Sequence, residues 1–102
     1  MPYARAAIVR LKRSSDLDEV VRRVRDHVAT LQRAPGFISY TAIQTRADEV
    51  IALTLWETRE QAEAAAERTE RWNREHVAAM LEATEASLGA VLIHEVALTA
   101  AR

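Results

Sequence analysis

Two tryptophans and three histidines carry most of the chemistry this chain could do. Trp56 closes the apolar run "EVIALTLW" just before "ETREQ". An indole there either plugs the gap between a sheet and a helix or forms a wall on which a flat ligand stacks. Thr69, Trp72, Asn73, His76 and Met80 recur at helical spacing and share one side of a helix. An ordinary core stripe carries leucine and valine. This one mixes an indole, a thioether, an amide and an imidazole, as a ligand pocket does. His76 is the proton acceptor the stripe offers, unless it and Asn73 lie at its wet edge. Tyr40 in "FISYTAIQ" could donate a hydrogen bond into a cavity. Arg5 and Arg10 point to opposite sides of one strand, and an inward arginine needs a carboxylate or an anionic ligand, Glu95 being a candidate partner. His94 sits among apolar residues, as structural histidines do, and His27, beside Asp26, reads as exposed.

Other chemistries find no support in the sequence. There is no cysteine, so disulfides, thiolate nucleophiles and cysteine-held zinc are excluded. The histidines have no metal-ligand spacing, and two glycines make no phosphate loop. A net charge of −1 gives no basic surface for nucleic acid. No segment is long and apolar enough for a membrane span or a signal peptide, so the expectation is a cytoplasmic protein with neither nucleic acid nor membrane as partner.

The 102 residues suit one domain, 1–102. "YARAAIVRLK" (3–12) reads as a strand. Asp16 and Glu19 have capping-box spacing before a helix whose apolar stripe runs through Leu17, Val20, Val21, Val24, Val28 and Leu31. "APGF" stops that helix. Strands follow at 37–44 and 49–56 around the polar loop "TRAD". Thr58 and Gln61 form a second capping box, opening a helical stretch to about Thr84 that should break near Thr69. "GAVLIHEVALTA" (89–100) reads as the last strand. The order is βαββαβ, the ferredoxin-like α+β arrangement of a four-stranded antiparallel sheet with both helices on one face.

Two helices cover one sheet face only. Yet Ile51, Leu53 and Leu55 alternate with Val50, Ala52 and Trp56, so both faces of the third strand are apolar. The last strand has Leu88, Leu92, Val96 and Leu98 on one face against Val91, Ile93 and Ala97 on the other. A second copy packed sheet against sheet would bury the surplus, making a homodimer.

"PGFISYTAI" and "VIALTLWETREQAEA" resemble the antibiotic biosynthesis monooxygenase family, small dimeric α/β-barrel proteins, and the resemblance spans nearly the whole chain. It implies an intra-subunit pocket between helices and sheet, lined by Trp56. Some members oxidise phenolic or anthrone-like aromatics without a cofactor, and others bind and break down haem. In the aromatic-oxidising branch an Asn precedes the Trp by four residues, where this chain has Ala52. A Tyr follows by six, where it has Ala62, and an Arg falls at or near His76. Of three residues expected in the haem-degrading branch, only His76 has a counterpart. The resemblance therefore implies a cofactor-independent monooxygenase on a small planar aromatic of phenol, quinol or anthrone type. His76 would be catalytic, with Trp56, Trp72, Asn73, Tyr40 and Met80 binding substrate and no metal. The alternatives are a non-catalytic module for a small hydrophobic ligand or for assembly, and a haem protein.

Overall fold

A computed structural model describes residues 1–98. The elements are β1 (Tyr3–Leu11), α1 (Leu17–Leu31), β2 (Phe37–Arg46), β3 (Glu49–Trp56), α2 (Arg59–His76) and β4 (Leu81–Ala90), with 3-10 turns at Ser14–Asp16 and Ala78–Met80. The strands form one sheet in the order β2-β3-β1-β4, every pair antiparallel. This is the ferredoxin-like arrangement the sequence implied. Among the described residues no helix is long and apolar enough to cross a membrane.

The end of the chain differs from expectation. The helical stretch neither reaches Thr84 nor breaks at Thr69. α2 is one helix of 18 residues ending at His76. Val77 leaves helical geometry at φ −130° and ψ −6°, and the Ala78–Met80 turn delivers the chain into β4. The last strand is thus Leu81–Ala90, not 89–100, and residues 99–100 lie outside the described range. "LEATEASLGA" has helical composition, but β1 offers a free edge, and ladder pairing from Leu81–Leu11 to Tyr3–Ala90 overrides local propensity. Length agrees: 18 residues of helix span about 27 Å, close to a strand of eight to ten residues at about 3.3 Å each.

Both helix starts show what capping spacing can and cannot do. Thr58 and Gln61 make the complete reciprocal box. Asp16 is the N-cap of α1 but accepts no capping hydrogen bond: its backbone is already helical and its carboxylate lies 3.5 Å from Arg13, while Glu19 pairs with Arg22 and Arg23 and does not complete the box. Gly36 turns the chain into β2 at φ +84°, the conformation glycine alone adopts without cost. Its carbonyl accepts from Glu57 N–H at 2.9 Å.

Odd-numbered β1 residues from Arg5 to Leu11, with Val50, Ala52, Thr54 and Trp56 of β3, face the helices. Ile8, Ile43, Ile51 and Leu53 face away, where no element among the described residues covers them. The densest packing lies at one end of the inner face. There Trp56, 1% exposed, packs with Leu31, Ala62 and Ala65, and meets Phe37 edge-on at 5.5 Å.

Candidate active site between helices and sheet

A cavity of about 690 Å³ lies between α1, α2 and the inner face of the sheet. Its walls are mostly aliphatic: Val20, Val24 and Val28 from α1, Ala7, Val9 and Leu11 from β1, and Val77 after α2. The α1 stripe seen in the sequence forms one side. Ala42 and Gln44 of the edge strand β2 lie at its exposed rim.

Among the polar residues that line this largely apolar space are Arg5, His27, Tyr40, Thr54, Thr69 and Asn73. Tyr40, Thr54 and Arg5 are direct neighbours across β2, β3 and β1, so three strands present them in one row. His27 comes down from α1, and Thr69, Trp72 and Asn73 from α2. His27 Nε2 lies 2.9 Å from Thr69 Oγ1. Its ring stacks on Trp72 with centroids 4.7 Å apart and planes 19° from parallel. His76 stacks near Trp72 as well, at 5.0 Å and 27°. The indole is therefore tied to a buried and to an exposed imidazole.

Burial pushes the His27 pKa down to about 4, helped by the charges of Arg68, Arg5 and His76. The imidazole is accordingly neutral at pH 7, an acceptor rather than a cation. In the tautomer whose Nε2–H donates to Thr69, the Nδ1 lone pair is the one left over. Burial raises the Tyr40 pKa against the opposing charge of Arg5, so the phenol keeps its proton and can donate. The site thus combines a neutral base, hydroxyl and amide donors, a guanidinium and a flat indole in a largely apolar space.

Of the residues singled out in the sequence, Tyr40, Trp72 and Asn73 line this cavity together. Trp56, His76 and Met80 do not line it. Trp56 belongs to the core cluster behind it, and Leu31 is common to that cluster and the cavity wall. His76 is exposed, and its carbonyl accepts a hydrogen bond from Arg23 across the helix pair. Met80 sits in the 3-10 turn, its carbonyl bonded to Lys12 N–H at 2.9 Å.

His27 was read as exposed and is buried, 6% exposed. Its signal was available, because it stands seven residues after Val20, three after Val24 and four before Leu31, all on the apolar stripe. Arg5 is the inward arginine, and Arg10 turns out to the Glu49 carboxylate at 3.2 Å. Glu95 lies beyond β4 and is not an Arg5 partner in this chain. No cluster of three metal-ligating side chains occurs among the described residues.

The sequence model of the antibiotic biosynthesis monooxygenase family matches residues 7–83. The chain belongs to that family. No protein of curated function matches it. Several solved structures share its fold. The cofactor-independent oxygenase SnoaB of Streptomyces nogalater superposes with TM-score 0.70 at 14% identity, over 91% of this chain and 95% of that one. A Nitrosomonas europaea protein of unknown function gives 0.79 at 8% identity, over 96% of each chain. A dimeric ferredoxin-like protein from an uncultured marine organism gives 0.74 at 8%, over 94% of this chain and 92% of that one. At such identities the likeness is one of fold. The two alanines that depart from the aromatic-oxidising pattern of the antibiotic biosynthesis monooxygenases sit differently. Ala52 lines the cavity, whereas Ala62 is sealed in the core beside Trp56.

Proposed function

We propose that this member of the antibiotic biosynthesis monooxygenase family is a cofactor-independent monooxygenase for a small planar aromatic of phenol, quinol or anthrone type, held in the cavity between helices and sheet. The observation that carries this reading is a buried, neutral His27 stacked on Trp72, beside Tyr40 and Asn73. His27 takes the role that the sequence gave to His76. It removes a phenolic or benzylic proton, and the resulting anion passes one electron to dioxygen. The substrate radical and superoxide combine to a peroxide. Loss of water then breaks the O–O bond, so that one oxygen stays as carbonyl and the other leaves as water. A CH₂ group becoming C=O gives up four electrons, which dioxygen accepts. Tyr40 and Asn73 supply hydrogen bonds to the developing oxyanion, and Trp72 sets the plane of the ring. His76 stiffens Trp72 from outside. The dimeric relative supports a second element of the reading, that the outer sheet face joins two copies.

Oxygen uptake with an anthrone, no metal or cofactor added, tests the chemistry. Wild type is expected to exceed spontaneous oxidation. His27→Gln should lose about 100-fold or more of the enzymatic rate, and His76→Ala much less. A full effect of His76→Ala with His27→Gln intact would return the base to His76. Uptake no faster than the protein-free control, across a series of phenols, quinols and anthrones, would leave a ligand-binding module. The weak basicity of His27 is the observation that favours that second reading.

A further inference from the structure

Arg5 is a buried charge that the proposed chemistry leaves idle. It sits in the middle of the sheet, between Thr54 on β3 and Leu88 on β4, and only 8% of it is exposed. Its Nε is buried without a hydrogen-bond acceptor. A guanidinium N–H buried without an acceptor is costly, and a fold has no structural reason to keep one at a position where leucine or methionine would pack. Glu70 is the carboxylate that bears on it. Glu70 is exposed, however, and although it borders a shallow hollow between α2 and β4 together with Arg5, no ion pair or hydrogen bond joins the two among the described residues, so it attracts Arg5 only through space. Burial outweighs that attraction and lowers the Arg5 pKa from its ordinary value, though arginine stays charged at any relevant pH.

The charge around the main cavity is one-sided. Among the described residues Arg5 and Arg25 border it, and no aspartate or glutamate does. His27 and Tyr40 are both neutral at pH 7. The cavity is thus an aliphatic container with a fixed positive pole at its sheet wall, where the Tyr40 hydroxyl and Arg5 share a cross-strand row.

We propose that the cavity takes an aromatic molecule bearing a carboxylate, and that Arg5 is the specificity-determining residue that receives that carboxylate. The substrate class of the proposed oxygenase is thereby narrowed from planar aromatics to aromatic acids, an inference that rests on the oxygenase reading only for the word substrate. A carboxylate offers the guanidinium two acceptors in one plane, the arrangement arginine binds best. The ring then extends along the Val and Leu walls toward Trp72.

The test compares 2-naphthoate with 2-naphthamide, of nearly equal shape but one anionic and the other neutral, by calorimetry at pH 7.5. Wild type is expected to bind naphthoate about tenfold or more tightly than naphthamide. Arg5→Met should abolish the preference while leaving naphthamide affinity within about twofold. Arg5→Lys should keep part of it, and Arg25→Gln, at an exposed position, nearly all. Equal affinity for the two probes, no binding of naphthoate to wild type, or a preference that survives in folded Arg5→Met would overturn the proposal. Naphthoate binding through Arg5 in a protein that consumes no oxygen would preserve the anion site and sink only the oxygenase. Oxygen uptake from neutral anthrones without a naphthoate preference would do the reverse.

Discussion

His27 shows how one side chain links stability to pH. Folding carries an imidazole of ordinary pKa 6.5 to about 4. Between those values the unfolded chain binds the proton and the folded one does not. Stability from keeping His27 neutral is therefore complete above pH 6.5 and is lost as pH falls toward 4. From pH 7.5 to 5 the loss should be about 2 kcal/mol. The groups that set this shift come from different elements: Arg5 of β1, and Arg68 and His76 of α2. Glu19 is held down to about 2 by Arg22 and Arg23, and Glu49 is lowered by Thr45 and Arg10, so in the folded protein both are mainly ionised from pH 7.5 to 5. Urea unfolding at the two pH values measures the slope, and His27→Gln should flatten it by that amount. An unchanged slope would mean that His27 is solvated in the folded protein. The same residue marks where reading by type falls short. Its neighbours Arg25 and Asp26 suggest a wet surface, whereas its place in the helical period puts it inside. Arg5 was undecidable for a related reason. Ala6 and Ile8 are as apolar as Ala7 and Val9, so the alternation of β1 carries no preference for either face.

The elements were legible wherever local chemistry and tertiary need agreed. Thr58 and Gln61 marked the start of α2 because a cap is a contact between residues three apart. The β2–β3 hairpin and the α1 stripe are local in the same sense. The switch from α2 to β4 is not, because only the free edge of β1, some seventy residues earlier in the chain, tells "LEATEASLGA" to extend. Trp56 was legible as a strand-closing residue. That it packs in the core cluster without lining the cavity, while Leu31 belongs to both, is tertiary packing that no spacing reveals. The turn at Gly36 ties two of these elements together. A Cβ there would collide with Gln61 Oε1, the oxygen that caps α2 through Thr58 N–H. Gly36→Ala thus combines a left-handed backbone penalty with a displaced cap. We expect a loss of about 2–3 kcal/mol in chemical denaturation. A loss no larger in wild type than in the Gln61→Ala background would show the two effects to be independent.

For the whole molecule the open question is what covers the outer sheet face. β2, β3 and β1 set Ile43, Ile51 and Ile8 in one row, and Thr41, Leu53 and Ala6 in the next. Ile43 is 56% exposed and Leu53 41%, although Leu53 is on an internal strand. After β4 the chain runs on with Leu92, Ile93, Val96 and Leu98 all exposed, the apolar segment that the sequence suggested was the last strand. Four strands at about 4.8 Å spacing and some 25 Å in length present several hundred Å² before side-chain relief. With the segment after β4, that approaches the roughly 800 Å² each partner contributes to a stable interface. A twofold partner satisfies both copies with one surface, because an isologous contact needs a patch complementary only to itself. Leu53→Lys places a charge at the middle of that patch, at a position already half solvated in a single chain. It should therefore break the dimer without unfolding the subunit. Sedimentation equilibrium should give twice the 11.4 kDa chain mass for wild type and one chain mass for the variant. Wild type sedimenting as a single chain would remove the partner from the argument. Because the cavity lies on the opposite face of the sheet, a folded Leu53→Lys monomer should still bind naphthoate through Arg5, and a monomer that does not would mean that the sheet needs its partner to hold the Tyr40–Thr54–Arg5 row in place.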